Sequence, residues 1–93
     1  MTKQQLPDWF DGELYEEGGE VTGRYSEEVC KLNNIELSMY DAVSGSATLL
    51  AMGMYNNAET KQQIKLGIEW FKENNTKAHQ ILLESIEYAK KNK

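Results

Sequence analysis

NNIELSMYDAVSGSATLLAMGM, residues 33–54, reads as a helix with two usable faces. Met39, Tyr40, Val43, Ala47, Leu50 and Met54 recur at spacings of three and four, which aligns them along one side. A second row, Ile35, Ser38, Ala42, Gly45, Leu49 and Met52, runs beside it and is small in its middle. Glu36 and Asp41 are the only charges in the stretch. A helix so nearly apolar all round is expected to be buried on most sides. Gly in mid-helix costs about 0.8–1 kcal/mol relative to Ala, so a close neighbour at Gly45 is the expected compensation. That neighbour is either the chain's own last helix or the same helix of a second subunit. On this reading Gly45→Val overpacks the contact and costs more than Gly67→Val on the following helix.

Working outward, Asn33 or Asn34 supplies the N-cap and Gly53 a left-handed C-cap. Asn57 caps a following helix with Ile64, Gly67, Ile68 and Phe71 on one stripe and Leu66 and Trp70 beside it. Asn74 and Asn75 interrupt it. Asn75 or Thr76 starts the last helix, which lines up Ala78, Ile81, Leu82, Ser85, Ile86 and Ala89 and ends in Lys90, Lys91 and Lys93. On the N-terminal side, EVTGRYSEEVCKL (residues 20–32) alternates strand-favouring Val21, Tyr25, Val29 and Cys30 with polar residues. Two readings stand for it. One is a hairpin turning at Tyr25 to Glu28; the other is a short helix from Glu27 to Leu32 capped by Ser26. Alternation favours the hairpin. The predicted fold is mainly α, with helices over 33–53, 57–73 and 75–91, a short β-hairpin over 20–32 and an acidic N-terminal segment.

That segment, DWFDGELYEEGGE (residues 8–20), interleaves Asp8, Asp11, Glu13, Glu16, Glu17 and Glu20 with Trp9, Phe10, Leu14 and Tyr15. The aromatics are large enough to dock on the core, giving a short helix or turn over 7–17, and Gly18-Gly19 ends it. Residues 1–7 are expected to be a mobile leader.

The 93 residues make a single small domain, and 40% apolar content is ample for folding. The net charge of −5 is uneven, at −7 over residues 1–41 and +2 over 42–93. A negative field opposes phosphates, so nucleic-acid binding is not expected. The first residues lack an apolar signal region and no apolar run approaches the roughly 18–20 residues needed to span a bilayer. A single cysteine, Cys30, excludes an internal disulfide. The expected location is the cytoplasm.

GGEVTGRYSEEVCKLNNIELSMYD, residues 18–41, resembles short uncharacterised proteins encoded by marine tailed phages, cyanophages among them. These carry an acidic tract, a Gly-Gly, a Val-Thr strand and an LNN-x-ELSMYD helix start in that order. GIEWFKENN, residues 67–75, is similar to their continuation, whereas residues 42–63 depart from the pattern. The resemblance implies a viral accessory protein acting in an infected bacterium, and it brings no catalytic motif.

The residues point away from catalysis as well. The acidic tract has no D-x-[DN]-x-[DN]-G loop with a closing Glu, so an EF-hand is excluded on spacing. Cys30 and His79 show neither C-x-x-C nor H-x-x-x-H, and no metal or cofactor is expected. As a nucleophile–base pair they would have to meet in space; a structural thiol and a surface histidine is the simpler reading. Gly12, Gly18, Gly19 and Gly23 fit turns, not a phosphate loop.

The expected function is therefore a non-enzymatic interaction or regulatory protein that binds a host or viral protein. Trp9, Phe10 and Tyr15 would be aromatic anchors inside a rim of Glu13, Glu16 and Glu17, suited to a basic partner. The competing explanation is that these aromatics cap the core while the acids keep the protein soluble. Ser38, Ala42, Gly45 and Leu49 would form the interface of a homo-oligomer. Two further readings are a structural oligomer or virion component, and a small-ligand binder with a pocket at a subunit interface.

Overall fold

Asparagine caps set the helix boundaries. In a computed structural model, which describes residues 5–10, 12–54 and 56–91, α1 spans Asn34–Ala51, α2 Ala58–Asn74 and α3 Thr76–Lys91. At the start of α1, the Asn33 side chain accepts from the Glu36 N–H at 2.8 Å, and Glu36 Oε1 accepts from the Asn33 N–H at 3.0 Å. This reciprocal capping box satisfies two otherwise orphaned donors. At its other end Gly53 sits at φ +85°, a conformation that suits glycine. The Met54 N–H reaches the Leu49 carbonyl at 2.9 Å and the Gly53 N–H the Leu50 carbonyl at 3.0 Å, which completes a Schellman cap. Asn57 caps α2 by accepting from the Thr60 N–H at 2.7 Å.

The N-terminal hairpin is present. Strands β1 (Gly19–Thr22) and β2 (Val29–Leu32) pair antiparallel, with Gly19 opposite Leu32 and Val21 opposite Cys30. Cys30 and Leu32 are buried while Val29 and Lys31 face out, the period-two alternation of a half-covered strand. A two-stranded sheet is marginal alone, and this one is stabilised by contacts with α1 and α3. The loop over 23–28 closes through the Gly23 N–H to the Glu28 carbonyl at 2.8 Å, with Glu27 at φ 61°. At Gly18 a Cβ would collide with the Leu32 carbonyl oxygen, so the chain enters the hairpin through a position only glycine fits.

The core lies where the three helices meet the inner face of β2. Phe71 is fully buried at its centre, edge-on to Trp70 at 5.0 Å and to Tyr40 at 6.2 Å between ring centroids. Met39, Val43 and Ala47 of α1 and Ala78, Ile81 and Leu82 of α3 close around it. Of the two rows on α1, the first runs through the core, and the second is buried in its N-terminal part, at Ser38 and partly at Ile35. In the second, Gly45 is exposed and a Cβ there would meet nothing within 4 Å. The expected close approach lies instead at Gly67 on α2, where a Cβ would run into Val43 Cγ2. The expected order of cost for Gly45→Val and Gly67→Val is thereby reversed. Among the described residues, no helix is long and apolar enough to cross a membrane.

Candidate functional site

The acidic segment is extended with a turn, not helical, and it lies along α1. The Phe10 N–H bonds the Pro7 carbonyl at 3.0 Å, closing a turn that lays Trp9 and Phe10 against the core. With Met39, Ala42, Val43 and Ile64 they line a partly open void of about 30 Å³. Further along, the Tyr15 N–H donates to Ser38 Oγ at 2.9 Å, and Asn34 Nδ2 donates to the Tyr15 carbonyl at 3.2 Å. The Tyr15 hydroxyl donates to Asp41 Oδ2 at 2.9 Å, and that carboxylate raises the tyrosine's pKa above 10.0 through the bond and its charge. Upstream, Trp70 Nε1 donates to the Gln5 carbonyl at 3.3 Å and Leu6 packs on the core. Of the expected mobile leader, Gln5 and Leu6 make these contacts, and residues 1–4 lie outside the described residues.

The two sets of residues singled out in the sequence therefore meet each other. Ser38 is buried under Tyr15, and its hydroxyl donates onward to the Asn34 carbonyl at 2.7 Å. Ala42 lies beneath Gly12, where a Cβ would come within 3.1 Å of it. The small row is small at these two positions because the chain's own segment approaches there. Gly45 stays open and Leu49 is half-buried.

Trp9 and Phe10 are half-buried and packed on the core, and Tyr15, also half-buried, is tied to Ser38 and Asp41 of α1, so the three brace the segment from behind. What the segment presents is Glu13, Glu16 and Glu17, all exposed, around Leu14, which is 58% exposed. Asp11 lies outside the described residues. Leu14 was not singled out in the sequence: nothing in its spacing separates it from Trp9, Phe10 and Tyr15 beside it.

A second anchored loop was not anticipated. Glu84 of α3 is buried, and its Oε1 accepts from the Tyr25 and Ser26 N–H groups at 2.8 and 2.7 Å. Its Oε2 takes the Ser26 hydroxyl at 2.9 Å. The two backbone donors hold its pKa below the ordinary 4.5. The Arg24 guanidinium lies 4.5 Å from the centre of the Tyr88 ring and adds a second tie between hairpin loop and α3. Because the folded carboxyl has the lower pKa, this clasp stabilises the fold above pH 4.5 and is lost as pH falls through the depressed value. Glu84→Gln should flatten the urea-midpoint profile below pH 4.5 relative to the parent; an unchanged acid limb would exclude the clasp.

Toward the C-terminal end of α1, the three helices leave an apolar groove of about 500 Å³, which shares Ile64 with the void under Trp9 and Phe10. Leu50, Ile64, Ile68 and Ile86 line it together with the exposed Lys61 and Lys90. Cys30 is buried beside Asn75 Nδ2 at 4.0 Å, and among the described residues no hydrogen bond joins it to His79. Among those residues, too, no three His, Cys, Asp or Glu side chains converge into a metal-ligand set. Compared with protein families, curated proteins and solved structures, the chain finds no match in any of the three.

Proposed function

We propose that the chain is a non-enzymatic interaction protein whose acidic segment binds a basic protein surface with an apolar centre. The observation that carries this reading is the exposed Leu14 framed by Glu13, Glu16 and Glu17 on a segment braced from behind. Apolar burial at the centre of a charged rim supplies affinity, and the rim supplies steering and selectivity. Bracing by Trp9, Phe10 and Tyr15 lowers the ordering cost of binding. The resemblance to phage accessory proteins supports a partner met in the cytoplasm of an infected bacterium.

The test is capture from bacterial lysate followed by kinetics with the purified species. At low salt the protein retains a Lys/Arg-rich polypeptide. Reversal of Glu13, Glu16 and Glu17 to Lys slows its association by roughly tenfold or more, and the difference shrinks at high salt. All three acids are exposed, so the melting curve is unchanged. Equal association rates for parent and triple variant at low salt would defeat the reading.

A further inference from the structure

The groove at the C-terminal end of α1 is the complement of the acidic segment. Its floor is aliphatic, from Leu50, Ile64, Ile68 and Ile86, and Lys61 and Lys90 supply its charge. Neither lysine has an ion-pair partner among the described residues, where Lys91–Glu87 at 3.9 Å is the one pair formed. An aliphatic floor beside two uncommitted cations calls for an aliphatic side chain flanked by carboxylates. Leu14 among Glu13, Glu16 and Glu17 has that composition, and pockets of about 300–1,000 Å³ accommodate far more than one leucine.

Within one chain Leu14 is held away from the Leu50 end of the groove, although Trp9 and Phe10 adjoin its edge at Ile64. Tyr15 is pinned to Ser38 in the first turns of α1, whereas Leu50 belongs to its last turn. At 1.5 Å per residue the intervening helix holds them about 18 Å apart. A second copy has no such restraint. A two-fold axis between two chains places each acidic segment on the other's groove and closes the assembly with two identical contacts.

We infer that the groove formed by Leu50, Ile64, Ile68 and Ile86 with Lys61 and Lys90 takes Leu14 and its flanking glutamates from a second copy of the chain, giving a reciprocal pair. This inference rests on the interaction reading above and adds the chain's own groove to the basic surfaces that the acidic segment takes. The contact is small, so association is in the weak, concentration-dependent range. It replaces Ser38, Ala42, Gly45 and Leu49 as the interface, since the first two are already covered by the chain's own segment.

Light scattering from micromolar to millimolar chain concentration tests it with two charge-reversed proteins. One carries Glu13→Lys, Glu16→Lys and Glu17→Lys; the other carries Lys61→Glu and Lys90→Glu. All five positions are exposed, so both proteins keep the parent's cooperative melt. The parent's mass rises from one chain toward two, each reversed protein stays at one, and their equimolar mixture regains two. Leu14→Asp alone also abolishes the rise. A parent that stays at one chain, an association that either reversal leaves intact, or a mixture that stays at one overturns the inference. The groove-reversed protein keeps its acidic segment and so still captures a basic polypeptide from lysate. A single-chain parent whose capture is nonetheless lost on acid reversal would remove the self-pair and leave the interaction reading standing.

Discussion

Gly67→Val lowers the stability of the protein by about 3 kcal/mol, at the upper end of the usual cost of overpacking a core. The cause is local. At Gly67, α2 passes so close to α1 that even a methyl group would strike Val43 Cγ2, and Val43 is itself short, branched and 4% exposed. A β-branched side chain has few rotamers in a helix with which to yield. For a domain of this size each kcal/mol shifts the melting temperature by about 4–8 °C, so the expected fall is roughly 12–24 °C. Gly45 serves as the control. A Cβ there meets nothing, and Gly45→Ala gains about 0.5–1 kcal/mol from helix propensity alone. Val43→Ala relieves the clash, so Gly67→Val costs much less in that background, a coupling a double-mutant cycle measures directly. Equal costs in both backgrounds would show that the two helices are not in contact at this point.

The contrast between these glycines shows where the sequence is legible. Caps are local chemistry. Asn33 with Glu36, Asn57, Asn75 and Gly53 each act within a few residues of themselves, so the helix boundaries could be read directly. The hairpin was readable for the same reason, through its period-two alternation. Which of two small residues on apolar stripes takes a close neighbour is a tertiary property. Gly45 and Gly67 look alike in their own helices, and only the placement of α1 against α2 separates them. The acidic segment was half legible: its aromatics were expected to dock or to anchor a partner, and composition cannot choose between these. Their docking follows from the Ser38–Tyr15 bond and the Gly12–Ala42 approach, which join residues far apart in the chain. The groove was invisible because Leu50, Ile64, Ile68 and Ile86 come from three helices and read, within each, as ordinary core positions.

One residue ties the cap of α1, the hairpin and the α2–α3 turn together. Asn75 ends α2 by donating its N–H to the Phe71 carbonyl at 2.8 Å. It starts α3 by accepting the Ala78 N–H on its side-chain oxygen at 3.1 Å. Its side-chain nitrogen donates to Glu36 Oε2 at 3.1 Å and lies 4.0 Å from Cys30 Sγ. Glu36 is 6% exposed, so its carboxyl depends on such donors in place of water. A single-residue link between two helices has no slack with which to replace them.

Asn75→Ala is therefore expected to cost roughly 2–4 kcal/mol: about 1 for the lost N-cap, and the rest for a buried carboxyl deprived of a donor. Asn75→Asp separates the two contributions. Aspartate caps a helix as well as asparagine does, so the α3 N-cap is retained. In place of the donor, however, it sets a second carboxyl against Glu36. Two carboxylates at this distance repel when both are ionised, so the variant is weakened where both carry charge and relieved where acid neutralises one of them. Asn75→Asp should accordingly be destabilised at neutral pH and recover on acidification toward the ordinary carboxylate range, where Asn75→Ala does not. Urea midpoints for the two variants across that range are the measurement. Parallel profiles would mean that Asn75 acts only as a cap, and that the hairpin and α1 are not joined to the α2–α3 turn through Glu36.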